Sequence, residues 1–332
     1  MRLRPGKLPP RLLVRCLSWS GARDRRVLVG PRCGEDAAVV ALGRRRLVLK
    51  SDPVTFTAAD IGRYVVQVNA NDVAAMGAAP CWFQPTVLLP PGTRAAQVTT
   101  IFRDIHRTCR ALAIAVTGGH TEVTDAVTRP VVAGDMQGLL ITRRLITSGG
   151  ARPGDVVLLS KAAGLEGTAI LATERPHGLG RRLPALTLRR ARRLARSPGI
   201  SVVTDALLAA RHGATAMHDP TEGGVRAALH EVAYASRTCL EVDLERVPVL
   251  PETEQVCRQL GIDPLGLLGS GALLVTVPPA RVADVLRAWR REGIAGQLIG
   301  RVTRGRGVTA RRHGRRAPFP WTAEDEIIRA LA

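Results

Sequence analysis

Residues 69–78 read Asn69-Ala70-Asn71-Asp72-Val73-Ala74-Ala75-Met76-Gly77-Ala78. The apolar spacing here predicts a helix, and the single acid turns that helix into a candidate site. Upstream, Asp60 can cap a segment in which Val65, Val68, Asp72 and Met76 recur at helical intervals, and Gly77 supplies a left-handed stop. Asp72 therefore shares a side with Val65 and Val68, on a helix with little other charge. Burying such a carboxylate is costly unless a cation or hydrogen-bond donors meet it. A bound cation is the functional reading; a cap or brace for a neighbouring loop is the structural one.

Strands and helices alternate around this segment. LVLKSD (47–52) reads as a short strand ending in an acid, and TVLLP (86–90) as another. Val98, Ile101, Phe102, Ile105, Cys109 and Leu112 mark 94–112 as an amphipathic helix. IAVTGG (114–119) is a strand running into a glycine turn, and VVAGDMQGLLIT (131–142) is a strand pair or one long strand. At 148–155, glycine, proline and aspartate break every periodicity, which predicts a boundary between domains at 1–147 and 148–332. The length of 332 residues agrees, since it exceeds what one core usually organises. Beyond the break, VVLLS (156–160) is a buried-type strand, and the loop KAAGLEG leads to a helix near Thr168. Residues 175–200 are rich in arginine without a clean apolar stripe and read as a surface helix and loop. TAMH (215–218) is a strand, and DPTEGG opens a helix whose Val225, Leu229, Val232 and Ala233 share a face. ALLVTV (272–277), a helix bearing Val282, Val285, Leu286 and Trp289, and a short helix after Trp321 complete the series.

Hydrophobic residues at 45% and charged ones at 23% exclude a disordered chain. The net charge of +20 is unusual, because 48 basic residues include only three lysines, Lys7, Lys50 and Lys161. Such a balance fits either a nucleic-acid footprint or arginines spread over a solvated surface. Aromatic content of 3% leaves few platforms for stacking bases and disfavours nucleic acid, so the Arg311-Arg312-His313-Gly314-Arg315-Arg316 cluster reads as an exposed loop. Cys16, Cys33, Cys81, Cys109, Cys239 and Cys257 lie far apart with no C-x-x-C pair and read as buried thiols. Pro9 and Pro10 interrupt the basic start before a signal-peptide core can form, and no apolar run approaches a membrane span. The expected compartment is the cytoplasm, with no membrane partner.

Four polar turns concentrate carboxylates beside small residues: Gly34-Glu35-Asp36-Ala37-Ala38, Ser51-Asp52-Pro53-Val54-Thr55-Phe56, the 69–78 stretch, and Gly118-Gly119-His120-Thr121-Glu122. Any one alone reads as surface decoration. Several oxygen ligands from separate loops suit magnesium, which bridges one or two carboxylates to phosphate oxygens. The glycine turns add backbone N–H donors for those phosphates.

Together these turns resemble the aminoimidazole ribonucleotide (AIR) synthase superfamily, the PurM-like proteins, over nearly the whole chain. GKLPPRLL, VGPRCGEDAAVV, SDPVTF, the stretch from Asp60 to Ala78, GGHTEV, GLEGTAIL, HDPTEGG and DPLGLLGSGALL are most similar to its HypE-related branch. The resemblance implies an α+β fold of two domains. The N-terminal, ATP-binding domain (1–147) pairs with its twin through a β-sheet in a homodimer, and the C-terminal domain (148–332) is α/β.

The resemblance also assigns roles. Asp36, Asp52 and Asp72 match acids that hold Mg-ATP phosphates in relatives. Gly118, Gly119 and Thr121 match a glycine turn in which His120 stands where an acid is usual, with Glu122 two residues on as its candidate substitute. Asp72, His120 and Glu122 are the implied catalytic residues. Asp219, Thr221, Glu222, Gly223 and Gly224 match the loop that meets nucleotide or substrate, with helix-terminal N–H groups open to an anion. Lys161 and Glu166 lie in the other glycine-bearing loop, where solvated-surface and phosphate-contact readings both stand.

HypE-type proteins end in a tail whose terminal cysteine carries a carbamoyl-derived group, whereas the last cysteine here is Cys257. The implied chemistry is Mg-ATP-dependent phosphorylation of an amide, carbonyl or similar oxygen on a small or protein-bound acceptor. The alternatives are an ATP-binding scaffold that works with other maturation factors of hydrogenase or another metallocentre, and an arginine-rich RNA binder.

Overall fold

Two seven-stranded sheets, one from each half of the chain, carry the architecture. The computed structural model describes residues 8, 10–32, 34–322 and 324–331. The first sheet contains β1 (Val27–Val29), β2 (Ala38–Leu42), β3 (Arg45–Val54), β4 (Ala78–Leu89), β5 (Ala115–Val116), β6 (His120–Val123) and β7 (Val131–Leu140). Its order is β1-β2-β3-β7-β4, with β5 and β6 both pairing in parallel with β4 at the far edge. On β4, Phe83, Val87 and Leu89 are buried while Trp82, Gln84 and Thr86 are exposed. This is the alternation of a sheet with one face on the core. The second sheet contains β8 (Val156–Ser160), β9 (Ala216–His218), β10 (Cys239–Asp243), β11 (Leu274–Val277), β12 (Gly296–Thr303), β13 (Gly307–Arg312) and β14 (Arg315–Ala317), in the order β14-β13-β10-β12-β8-β11-β9.

Helices α1 (Pro10–Leu17), α2 (Ile61–Ala75) and α3 (Ala95–Ala111) belong to the first half. The second holds α4 (Leu165–Glu174), α5 (Pro176–Gly180), α6 (Ala185–Arg193), α7 (Val203–Arg211), α8 (Gly224–Ser236), α9 (Pro251–Leu260), α10 (Val282–Arg291) and α11 (Glu326–Leu331). The fold is α+β. No described helix is long and apolar enough to cross a membrane.

α2 positions the site. Its one predicted apolar side is in fact buried nearly all round, because β3, β4 and β7 lie against it together with α3 and α7. Asn71 ties it to the second half: Nδ2 donates to the Ile200 carbonyl at 2.8 Å, and Oδ1 accepts from the Val202 N–H at 2.8 Å. One apolar cluster runs through Val39, Val73, Met76, Ile146, Ala206 and Trp289, crossing from one half to the other. Each fully buried Val, Leu or Met side chain in such a cluster contributes about 1.5–3 kcal/mol, so parting the halves exposes shared core. A second cluster packs Val225, Leu229 and Val232 of α8 against Leu240, Val242 and Val302.

Several expectations change. Gly77 does stop α2 with φ 76, but Asp60 at the other end makes no side-chain cap. Its carboxylate is drawn instead to Arg63 and Arg196, each at 3.0 Å. Residues 175–200 are not simply surface, since Leu179, Leu183, Leu188, Ala191 and Leu194 are buried in a layer where α5 and α6 pack on α4, and α6 also packs on α9. The arginines there mask a short apolar stripe, and Arg192 Nε donates inward to the Ala172 carbonyl at 2.9 Å. The Arg311–Arg316 cluster is the β13–β14 hairpin rather than a loop, turning at His313 and Gly314 with positive φ. Cys109 and Cys257 are buried, whereas Cys16, Cys81 and Cys239 are half-buried, and all five are free thiols. Cys33, Lys7 and part of GKLPPRLL lie outside the described residues.

Candidate functional site

Strand alternation puts Lys50 and Asp52 of β3 on one face. Lys50 Nζ lies 2.8 Å from Asp72 Oδ2 and 3.3 Å from Asp52 Oδ2. Asn69, one turn before Asp72, donates to the Asp52 carbonyl at 3.1 Å and to the Val65 carbonyl at 2.8 Å. Burial lowers the pKa of Lys50, but Asp72, Asp52 and Asp36 outweigh it and raise it above the ordinary lysine value. Burial also raises Asp72, to about 7, with Asp36 and Asp52 adding to the rise and Lys50 opposing it. The acid singled out on α2 is thus held by a cation belonging to the chain itself.

Asp36, in the turn before β2, meets the second half. Its Oδ1 stands 2.7 Å from His218 Nδ1 at the end of β9, and His218 Nε2 stands 2.8 Å from Glu231 Oε2 on α8. Ser148 Oγ also approaches Nδ1, at 2.9 Å, and the Ser148 N–H donates to Glu35 Oε2 at 3.2 Å. Burial favours neutral imidazole, but Asp36 and Glu231 prevail and hold the His218 pKa well above 6.5. An imidazolium with a carboxylate at each nitrogen therefore stitches the halves together.

The carboxylates on the far side have no such cation. Asp219 is 1% exposed, and among the described residues neither of its oxygens receives a hydrogen bond; Asp36 Oδ2 lacks a donor there as well. Burial raises Asp219 well above the carboxylate range, with Asp72, Asp36 and Glu166 adding to the rise and His218 opposing it. Glu166, in the first turn of α4, is buried with Oε2 lacking a donor. Burial pushes it to about 7, Ser270 pulls it down, and Glu222, Asp325 and Asp52 push it up.

The structure gathers Asp36, Asp52, Asp72 and Asp219 at the junction of the halves. The loop holding Thr221, Glu222, Gly223 and Gly224 follows directly, its Thr221 carbonyl accepting from the N–H groups of Gly224 (2.9 Å) and Gly269 (3.2 Å). It does not bring Gly118, Gly119, His120, Thr121 and Glu122 to this cluster. They are exposed, with β7 and β4 between β6 and β3, a separation of roughly 14 Å at ordinary strand spacing. His120 Nε2 lies 3.4 Å from Glu122 Oε2, and the Pro85 carbonyl occupies the place of a Cβ on Gly119. Lys161 is not solvated: it is buried, donating to the Ser201 carbonyl at 2.6 Å and pairing with Asp205 at 3.1 Å.

Sequence reasoning passed over Lys50, His218 and Asp325. The scarcity of lysine was the available signal for Lys50. His218 stood inside the quoted HDPTEGG, whereas nothing local marks Asp325.

Among the described residues, no three His, Cys, Asp or Glu side chains are grouped closely enough to hold a metal ion alone. Magnesium rarely asks for such a cage, since one or two carboxylates with water and phosphate oxygens complete its octahedron. The donorless oxygens of Asp36 and Asp219 are hard ligands suited to a cation that arrives with a nucleotide.

Models of the AIR synthase related protein match in two parts, the N-terminal domain over residues 34–140 and the C-terminal domain over 152–313. The chain belongs to the AIR synthase related family. Within this family it is similar to the carbamoyl dehydratase HypE of Rhodobacter capsulatus, with 30% identity over 285 residues, 85% of this chain and 80% of that protein. Its fold matches a chain of the HypE–HypF complex with a TM-score of 0.76 at 21% identity, covering 93% of this chain and 99% of that one. It also matches the hydrogenase maturation protein HypE solved with ATP, at 0.70 and 22%, covering 94% and 91%. The AIR synthase related architecture is thus the α+β, two-domain fold built here from the two sheets.

Proposed function

We propose that the chain binds Mg-ATP at the junction of its halves and uses it to activate an oxygen on a small or protein-bound acceptor. The observation that carries this reading is the set of buried carboxylate oxygens on Asp36 and Asp219 that no donor among the described residues satisfies. Buried polar groups are normally paired, and an unpaired carboxylate is retained where a ligand completes it. The carbamoyl dehydratase activity named for the Rhodobacter capsulatus relative, and the ATP bound by a HypE of the same fold, support the choice of nucleotide and reaction.

In this reading the acceptor oxygen takes the terminal phosphoryl group of ATP, ADP departs, and the phosphorylated oxygen becomes a leaving group for dehydration or nucleophilic attack. Magnesium, when bound, neutralises phosphate charge. Asp219 and Asp36 would hold it. Asp52 and Asp72 fix the Lys50 ammonium beside the phosphates, and His218 fixes the aspartate of the opposite half. A homodimer joined through the N-terminal sheets would cover the β5 and β6 edge, where Val116 and Val123 are exposed. A non-catalytic ATP-binding maturation scaffold is the second reading, favoured by the strand order that sets His120 and Glu122 apart from the carboxylates.

Calorimetric titration of Mg-ATP into the wild type and Asp219→Asn tests the site. The variant should lose about tenfold or more in affinity while melting no lower than the wild type, because the replaced carboxyl accepts no hydrogen bond from the described residues. Equal affinity in a folded variant removes Asp219 from the site. Mg-ATP binding without ADP release against any carbamoyl compound favours the scaffold.

A further inference from the structure

From Ala37 to Ser51 the chain carries Arg44, Arg45, Arg46 and Lys50 and no acid, and from Met136 to Gly154 it carries Arg143, Arg144 and Arg152 and no acid. The first sheet brings these two stretches together, because β3 pairs with β7 from Leu47 opposite Leu139 onward. The β2–β3 turn at Gly43 and Arg44 therefore lies beside the segment that leaves β7. Between them opens a cavity of about 450 Å³, lined by Arg44, Arg45, Arg46 and Arg143 together with Leu140 and Ile141. Among the described residues no acidic or aromatic side chain lines it.

Arginines elsewhere on the surface are neutralised by the chain itself: Arg26 by Asp24 at 2.6 Å, Arg301 by Glu241 at 2.7 Å and Arg329 by Glu326 at 2.8 Å. Among the described residues, none of the four around this cavity pairs with a carboxylate. The walls are held in place. Leu42 and Arg45 close a two-residue turn in which Gly43 has φ 58, and Arg46 Nη1 donates back to the Gly43 carbonyl at 3.3 Å and the Arg45 carbonyl at 3.1 Å. That leaves Arg46 Nε and Nη2 for a ligand. Opposite, the Ile141 N–H donates to the Gly77 carbonyl at 3.1 Å and Thr142 Oγ1 to the Arg144 carbonyl at 2.6 Å. Four guanidinium groups around one cavity repel one another, and a polyvalent anion between them reverses the sign of that interaction. Their forked donors match phosphate oxygens in pairs.

We propose that this cavity is an accessory anion site that takes a small, multiply phosphorylated molecule by its phosphates. Its volume suits a small ligand. With no aromatic side chain to stack a base, recognition falls on the phosphate cluster itself. The site is separate from the junction of the halves: Arg46 precedes Asp52 by six residues on β3, roughly 20 Å at the rise of a strand, too far for one triphosphate chain to span. It therefore stands independently of the Mg-ATP reading.

Calorimetric titration of inorganic tripolyphosphate at physiological salt tests this, with EDTA present so that the junction carboxylates repel the probe instead of holding it through a metal. The wild type should bind one equivalent, and Arg46→Gln/Arg143→Gln should lose about tenfold or more in affinity. Arg304→Gln/Arg306→Gln, which removes two exposed arginines between β12 and β13, should bind as the wild type does. If the first variant does not fold, Arg44→Gln/Arg143→Gln, with both side chains exposed, gives the same readout. No binding by the wild type, or unchanged affinity in the cavity variant, overturns the proposal. So does an equal loss in Arg304→Gln/Arg306→Gln, which would make net charge the whole cause. Tighter binding of a hexaglutamate peptide or a single-stranded RNA, lost in the cavity variant, overturns it as well by giving the cavity to a macromolecule.

Discussion

Asp72 and Asp219 are buried to 2% and 1% exposure, yet the two sides of the junction treat their acids differently. On the N-terminal side Asp52 and Asp72 share Lys50, and Asp36 faces both ways, with Oδ1 on the His218 imidazolium and Oδ2 meeting no donor among the described residues. On the C-terminal side Asp219 and one oxygen of Glu166 meet no donor, and Asp325 is held by backbone N–H groups. Equal burial therefore marks two kinds of carboxylate. One is a structural counter-ion, the other an incomplete site, and the partner rather than the depth tells them apart.

The largest break in that comparison should come from Lys50→Met. Removing the cation leaves the buried Asp72 without its counter-ion, and denaturant unfolding should show a loss of about 3–5 kcal/mol. A loss below about 1 kcal/mol would mean the N-terminal acids do not depend on Lys50.

His218→Gln should cost less, about 2–3 kcal/mol at neutral pH, through the charge-assisted bonds to Asp36 and Glu231. The pH dependence has a definite sign. The folded pKa is raised, so the stabilisation is complete below the ordinary histidine value of 6.5 and is lost as pH climbs through the higher folded value. Wild-type melting temperature should fall through the alkaline range more steeply than that of the variant, and parallel curves would exclude the imidazolium.

Glu166→Gln should have the smallest effect, of opposite direction. Its carboxyl titrates near 7 in the fold against 4.5 when unperturbed, so the folded state keeps a proton that the unfolded chain has released, and stability falls as pH rises between those values. At pH 8 the glutamine variant should be about 1–2 kcal/mol more stable, with no gain near pH 4. A destabilised variant at pH 8 would show that the Ser270 hydrogen bond outweighs the cost of burying the carboxylate.

Much of the first half was legible in the chain. The periods of α2 and α3, the glycine stop at Gly77 and the long β7 all follow from local spacing. The last third was harder. α7 and α9 went unnoticed, and β10 is sandwiched between an antiparallel β12 and a parallel β13 whose arginines hide the alternation. Site residues divide along the same line. Asp36, Asp52, Asp72 and Asp219 announce themselves as acids beside small residues, and family resemblance groups them. Their counter-ions do not, because His218 is far from Asp36 in the chain and Asp325 lies 102 residues from Gly223. His120 and Glu122 behave differently: their motif is quoted beside the acids, and the strand order sets its residues apart from them.

The lysines described earlier have a practical consequence for proteolysis. Arginine covers the outside, while the side chains of Lys50 and Lys161 are 21% and 6% exposed, each locked to carboxylates. A lysine-specific endopeptidase, blind to the arginine surface, finds both of these bonds protected while the fold is closed. Cleavage after Lys50 or Lys161 would therefore time the opening of the molecule, with the arginine-rich exterior contributing no background.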